Sequence, residues 1–285
     1  MGVHVGEMDK LAAVVILYNP DKNVVNNIKS YIHYIDILYV VLNTEVNIDI
    51  YNYLYNEEKI RIIKHRENEG IAKSLNEVLC LVKNNYSWLL TMDQDSSFIS
   101  NSVNKYLAII GELDAKEIYG VTSKITCNDI ISSGENFDYI DRCITSGMIL
   151  NVKIAVECGG FCEDLFIDEV DYEFCYRVNE RGFKLIRYPY KVMKHYIGNE
   201  KICSVAGVKF STENERYFRL FYIYRNCLYV MSKYKHTRKK YIIALLKRTI
   251  KIIIAEDDKM RKIKYAFKGI KAFLFNQMGK LKKWD

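Results

Sequence analysis

Hydrophobic positions in the first hundred residues come in blocks separated by polar punctuation. LAAVVILYNP (11–20) is apolar until Asn19 and Pro20 stop it. Unbroken apolar character, rather than alternation, predicts a strand buried on both faces, as in a parallel sheet. A helix-like stretch follows to about Tyr34, and DILYVVLNT (36–44), KIRIIKH (59–65) and SWLLTMD (87–93) predict three further strands. Between the last two, EGIAKSLNEVLCLVKNN (69–85) places Ile71, Leu75, Val78, Leu79 and Val82 at helical spacing. Strands alternating with helices predict right-handed crossovers and a mostly parallel α/β sheet flanked by helices.

The later pattern is more mixed. Short strands and glycines occupy about 118–150, and ITSGMILN (144–151) predicts one more strand. NVKIAVECGGF (151–161) predicts a short helix closed by Gly159 and Gly160. DEVDYEFCYRVNERGF (168–183) predicts a helix with an acidic first turn and a stop at Gly182, as the helix dipole favours. KLIRYPYKVMKHY (184–196) is extended and carries His195 near its end. Beyond Ala206 the chain turns helical, basic and aromatic. The expected division is an α/β domain over 1–205 and a helical, basic C-terminal region over 206–285.

Composition sharpens this picture in three places. Hydrophobic residues are 49% of the 285, enough for a sizeable core, so disorder is not expected. The eight cysteines form no C-x-x-C pair and no zinc-like spacing with histidine, so reduced thiols are expected. Charge is uneven. From Lys233 onward 17 basic and 4 acidic residues give +13, while 25 basic and 31 acidic residues before it give −6. A basic tail on a mildly acidic body suggests a tail facing phosphates, of lipid or nucleic acid. No apolar stretch is long and uncharged enough to span a bilayer. No signal peptide is expected, and Gly6 stands where a myristoylation signal needs Ser or Thr.

Candidate chemistry lies at strand ends. Ligands of parallel sheets bind at the carboxyl ends of the strands. Tyr18 and Asn19, Asn43 and Thr44, Asn68, and Asp93-Gln94-Asp95 all fall there. Two carboxylates at a buried strand's exit can hold Mg²⁺ or Mn²⁺, which bridge to substrate phosphates. The alternative is a solvated turn capping the next helix. A second acidic group, Glu163, Asp164, Asp168, Glu169, Asp171 and Glu173, is threaded with apolar residues. Asp171 and Phe174 share a helix face, so a carboxylate beside an aromatic wall can serve as a general base. The alternative, an acidic start that favours its own dipole, suits Glu169 and Asp168.

The ordered pieces VVILYNP, NEGIAKSLNEVL, LLTMDQDS, SGMIL, GGFCEDLFIDEVDYEFCYR and KHYIG resemble a family 2 glycosyltransferase of the GT-A fold, in its bacterial rhamnosyltransferase-like branch. The resemblance covers about residues 11–200 and implies that 1–205 is a catalytic domain, with a nucleotide-sugar half to about 97 and an acceptor half over 98–205. It implies that Tyr18, Asn19 and Pro20 line a pyrimidine and ribose pocket. Asn43 would also contact the nucleotide, standing where the family usually has Asp or Glu, or an Asn of a D-N-x turn. Asn68, Gly70, Ile71, Ala72 and Asn76 would sit beside the nucleotide, with a helix N-terminus facing the pyrophosphate. Asp93 would contact ribose or metal, Asp95 would hold Mn²⁺ or Mg²⁺, and His195 would be a further ligand, against the alternative of packing. Asp171 matches the family's catalytic base. An aromatic helix with an Arg225-Asn226 pair also matches, from which Arg225 would approach acceptor or diphosphate. The Q-x-x-R-W motif of processive members is absent, which implies addition of one sugar or a few.

In the tail, KYIIALLKRTIKIIIA (240–255) and MRKIKYAFKGIKAFLFNQMGKLKKW (260–284) are basic and amphipathic. In the second, Met260, Ile263, Phe267, Ile270, Leu274, Met278 and Leu281 follow steps of three and four, with Lys264, Lys268 and Lys271 elsewhere on the surface. This is the pattern of an interfacial membrane helix, or of a helix docked on the catalytic domain or pairing in a homodimer. The expectation is a cytoplasmic inverting transferase, peripheral on the inner face of the plasma membrane. It would move rhamnose or another hexose from a UDP- or dTDP-linked donor to a glycan or lipid-linked acceptor. Two rivals stay open. A nucleotidyltransferase would have a similar sheet but a Gly-rich basic phosphate loop, which LYNPDKN lacks. A nucleic-acid-binding protein would use the basic tail, against which the acidic body argues; no nucleic-acid partner is expected.

Overall fold

The computed structural model describes residues 10–99, 102–124, 137–195, 201–205 and 208–281. They fall into two compact units, one within Met1–Phe161 and Phe174–Tyr196, the other within Cys162–Glu173 and Ile197–Asp285. The acidic segment Cys162–Glu173, which includes Asp171, groups with the C-terminal part of the chain.

The first unit begins with β1 (Leu11–Leu17), α1 (Asn23–Lys29), β2 (Ile37–Leu42), α2 (Ile48–Asn56), β3 (Ile60–Lys64), α3 (Ile71–Val82) and β4 (Trp88–Asp93). It continues with β5 (Ser96–Phe98), α4 (Val103–Ala108), β6 (Ile118–Lys124), β7 (Asp138–Ile140), β8 (Met148–Asn151) and α5 (Val152–Glu157). α6 (Val170–Glu180), whose first turn to Glu173 groups with the second unit, β9 (Lys184–Lys191) and β10 (Met193–His195) follow. The main sheet runs β3-β2-β1-β4-β8-β6-β9-β7, and four of its seven pairings are parallel. It is a mostly parallel, helix-flanked sheet, consistent with a Rossmann-like GT-A fold.

The reasons are local. β1 lies between β2 and β4 with Ala12, Ala13, Val14, Val15 and Leu17 buried, so its apolar run serves both faces. α3 buries Leu75, Val78, Leu79 and Val82, as the spacing predicts, while Ile71 is only half-buried. α2 was not read from the pattern. Only Ile50 and Leu54, one turn apart, are buried on it, and Tyr51 and Tyr55 stay exposed. Asn47 caps it, its side chain accepting from the Ile50 amide at 2.9 Å. The extended 184–196 segment splits at Val192, so β9 stays in the main sheet and β10 pairs with β5.

The second unit carries the hairpin β11 (Lys201–Val205) and β12 (Val208–Thr212) and the helices α7 (Tyr217–Lys233), α8 (Arg238–Ala255) and α9 (Lys259–Leu274). α9 docks on α7 through Tyr265, Ala266, Gly269 and Ala272, not through the large apolar stripe read from the sequence. Met260, Phe267 and Leu274 of that stripe remain exposed. Small residues let the two backbones approach. A Cβ on Gly269 would collide with the Phe221 carbonyl. Glu256 and Lys262 form a buried ion pair at 2.7 Å, completed by Thr212 and Asn214. The hydrogen bonds to the remaining charge-bearing atoms offset what burial of two charges costs. Among the described residues no helix is long and apolar enough to cross a membrane.

Gly269→Val tests the close approach of α9. It should lower stability by about 1–3 kcal/mol, as overpacking does, and thermal denaturation would record it. An unchanged midpoint would mean that α9 does not sit against the Phe221 carbonyl.

Candidate functional site

The sheet places its ligand edge where strand order reverses. β3-β2-β1 run one way from β1, and β4 lies on its other side, so the crevice lies beyond the carboxyl ends of β1 and β4. Ile16 of β1 is in register with Asp93 of β4. Just past them, Gln94 ties the two ends together. Its Oε1 accepts from the Tyr18 amide at 2.9 Å and its Nε2 donates to the Tyr18 carbonyl at 3.1 Å. Asn27 of α1 donates to the Gln94 carbonyl at 2.8 Å. Sequence reasoning quoted Gln94 but gave it no role; an amide between two strand-end carboxylates was the available signal.

Tyr18 is 47% exposed at this edge. Asn19 takes a left-handed backbone (φ 47°), and its amide donates to Thr44 at the end of β2 at 2.8 Å. Pro20 is half-buried. Asp93 is half-buried and Asp95 exposed. Behind them, Ser146 accepts from the Asp93 amide at 3.4 Å and donates to Ser96 at 2.7 Å. Pairing of β10 with β5 sets the His195 backbone opposite Ser96, the residue after Asp95. The His195 side chain and residues 196–198 of the KHYIG piece lie outside the described residues. So the structure brings Tyr18, Asn19, Asp93 and Asp95 to one edge and the His195 backbone beside it.

Another group beside β2 and β3 is held together by internal bonds. Asn43 is buried. Its Nδ2 donates to the Gly70 carbonyl at 3.2 Å and to Ser74 at 3.3 Å, and its Oδ1 meets His65 Nδ1 at 2.7 Å. Asn68 accepts from the Gly70 amide at 2.9 Å. Gly70 starts α3 at φ 84°, a conformation a side chain would resist. Ala72 is fully buried. Asn76 donates to the Phe161 carbonyl at 2.9 Å and accepts from its amide at 2.7 Å. Asn43, Ala72 and Asn76 therefore shape the start of α3 and the loop at Phe161. Asn68, Gly70 and Ile71 form the α3 N-terminus itself.

The residues fit a divalent cation of the Mg²⁺ type in donor chemistry. Such ions take one or two carboxylates and complete their shell with substrate phosphates and water. Among the described residues, no three His, Cys, Asp or Glu side chains are gathered as a metal site.

The acidic segment belongs to the second unit and is strained. Phe166 (φ 62°, ψ −60°) forms a γ-turn, closed by the Ile167 amide donating to the Leu165 carbonyl at 2.7 Å. Asp168 and Glu169 both have φ 63°. Non-glycine residues cost energy there and persist only where surroundings over-determine them. The surroundings here are α7 and α8. Asn226 donates to the carbonyls of Leu165, Ile167 and Asp168 at 2.8, 2.7 and 2.9 Å. Arg219 grips Asp168 at 3.0 Å, and that carboxylate is the main reason the Arg219 pKa is raised. Tyr241 donates to Glu169, and the Cys227 thiol lies 3.6 Å from it. Burial, then the Glu169 charge, pushes the Cys227 thiol well above its ordinary value. Asp168 and Glu169 are thus tied by side chains and do more than complement a helix dipole. Asp171 is half-buried in the first turn of α6, its Oδ1 accepting from the Tyr172 amide at 2.9 Å. Glu173 is fully buried, bonded to Lys233 at 2.7 Å and Tyr234 at 2.8 Å.

Arg225 corrects an expectation. It is 1% exposed and points at backbone, not at an acceptor or diphosphate. Its guanidinium donates to the carbonyls of Asp164, Leu165, Gln277 and Gly279 at 2.7–3.4 Å, and to Asn226 at 2.9 Å. Burial pushes its pKa down to about 10. In the first unit, Phe174 is likewise fully packed, stacked on Phe161 at 4.6 Å and edge-on to Tyr119.

No family model matches the chain. It is 25% identical over 240 residues to the dTDP-rhamnosyl transferase RfbF of Shigella flexneri, covering 78% of this chain and 79% of that protein. This likeness supports a glycosyl transferase.

Asn226 is the point at which the strained loop can be loosened. Asn226→Leu keeps the volume and removes the donors, leaving buried carbonyls unpaired at about 1–3 kcal/mol. Urea denaturation should show a matching loss of stability. A midpoint equal to wild type would mean that Asn226 does not hold the loop.

Proposed function

We propose that the chain is a metal-dependent, inverting glycosyltransferase that moves rhamnose, or another hexose, from a nucleotide-diphosphate sugar to a glycan acceptor. The observation that carries the reading is the two-carboxylate turn at the β1/β4 reversal, tied to the Tyr18 end by Gln94. Support for the sugar and nucleotide comes from the relative's name, which specifies dTDP-rhamnose chemistry.

In this reading Tyr18, Asn19 and Pro20 bound the nucleoside, and the α3 N-terminus at Gly70 and Ile71 faces the pyrophosphate. Asp93 and Asp95, with His195, would hold Mn²⁺ or Mg²⁺, whose charge would offset that of the departing diphosphate. Asp171 takes the proton from an acceptor hydroxyl as that oxygen attacks the anomeric carbon. The anomeric carbon–oxygen bond breaks, and its electron pair leaves with the diphosphate. One displacement inverts the anomeric centre, as in single-step glycoside hydrolysis with a sugar hydroxyl replacing water. The acceptor is a growing surface glycan carried on a lipid, met at the inner face of the plasma membrane.

Two variants test separate parts. Asp171→Asn keeps the shape but cannot take up a proton. It should leave donor affinity near normal by calorimetry and lower kcat by about a hundredfold or more with a fixed acceptor. A variant that still turns over would place the base elsewhere. Asp95→Ala should abolish Mn²⁺-dependent dTDP-sugar binding while the thermal midpoint without ligand stays unchanged. Full metal-dependent transfer by Asp95→Ala would remove it from the metal site.

A further inference from the structure

The most unusual surface of the second unit is α8. Only Tyr241 and Ile252 of this 18-residue helix are buried. Ile242, Ile243, Leu246, Ile250, Ile253 and Ile254 are 42–58% exposed. At 3.6 residues per turn these six side chains share an arc of about 120° on one side of the helix. A contiguous aliphatic face of this kind is uncommon on a protein surface and marks an interaction site. Lys239, Lys240 and Lys247 are exposed on the same helix, and no Asp or Glu occurs within it.

We infer that α8 is an interfacial helix that lays its aliphatic face into an anionic lipid surface. The chemistry selects this occupant. A second copy paired through α8 would cover the aliphatic side chains but give the lysines no anionic partner, since the helix carries no Asp or Glu. A nucleic acid would meet isoleucine and leucine where stacking needs aromatic rings. Anionic headgroups neutralise the lysines while the acyl boundary takes the aliphatic side chains. The sequence marks both this segment (240–255) and the stripe on α9 as basic and amphipathic. That stripe is narrower, with Met260, Phe267 and Leu274 exposed two turns apart. α9 serves mainly to pack on α7, and Arg225 draws on the Gln277 and Gly279 carbonyls just beyond it. Deleting residues from Met260 onward would therefore unmake the unit rather than probe lipid binding. This inference concerns lipid binding alone and is read without turnover, so it stands or falls separately from the transfer reaction.

The test is co-sedimentation of the full chain with vesicles of phosphatidylcholine alone or mixed with phosphatidylglycerol. Wild type should bind the anionic vesicles, release them as salt rises, and ignore the neutral ones. Ile250→Glu with Ile253→Glu should weaken binding by about tenfold or more, with an unchanged thermal midpoint, because charge replaces apolar insertion. Ile250→Leu with Ile253→Leu should bind as wild type does. Phe267→Glu on α9 should have the smaller effect. Failure of wild type to bind anionic vesicles would overturn the inference, as would full binding by the double Glu variant or a larger loss from Phe267→Glu. A lipid-free dimer, seen by sedimentation velocity and dissociated by the double Glu variant, would assign the face to a second copy.

Discussion

Backbone carbonyls turned inward need donors, and a loop with three left-handed side-chain-bearing residues has few of its own. Around Leu165–Glu169 those donors come from two adjacent residues of α7, Arg225 and Asn226. The γ-turn at Phe166 and the left-handed Asp168 and Glu169 persist because that amide and that guanidinium fix the carbonyls between them. The Arg225 guanidinium also lies over the Phe221 and Tyr222 rings, 5.2 and 5.1 Å from their centroids, so the brace is held in an aromatic setting. The proposed base, Asp171, starts α6 two residues after this loop. Its backbone position therefore depends on contacts made some 60 residues later in the chain.

The sheet unit solves a different problem. Its strands end in loops that must stay open to a ligand yet hold fixed positions. Asparagine and glutamine side chains do this by pairing with backbone. Gln94 binds both polar groups of Tyr18, Asn76 both of Phe161, and Asn43 reaches Gly70. Amides carry a donor and an acceptor, so one side chain can close two bonds without placing charge in the crevice. Charge at these strand ends is then left to Asp93 and Asp95, the proposed metal ligands.

Much of this was legible in the sequence, and the reason is physical. Parallel strands buried on both faces must be apolar throughout, so LAAVVIL, ILYVVL and WLLTMD announce themselves. Strand ends and the acidic turn at Asp93 follow from where those runs stop. α2 escaped notice because only Ile50 and Leu54 are buried on it, too few for a visible period.

The roles of polar residues were decided by tertiary structure. Arg225 sits on a helix whose apolar and aromatic pattern is plain, yet nothing local says that it is buried or that its donors meet carbonyls about 50 to 60 residues away in sequence. Likewise, the step pattern of α9 marks Met260, Phe267 and Leu274 as apolar but cannot choose which face packs. Close approach to the Phe221 carbonyl selects the face with Gly269, Ala266 and Ala272, because only small side chains fit there. Hydrophobic periodicity is a property of neighbouring residues and can be read along a chain. Hydrogen-bond partnership and helix contact distance are properties of pairs far apart in sequence, and those the fold alone supplies.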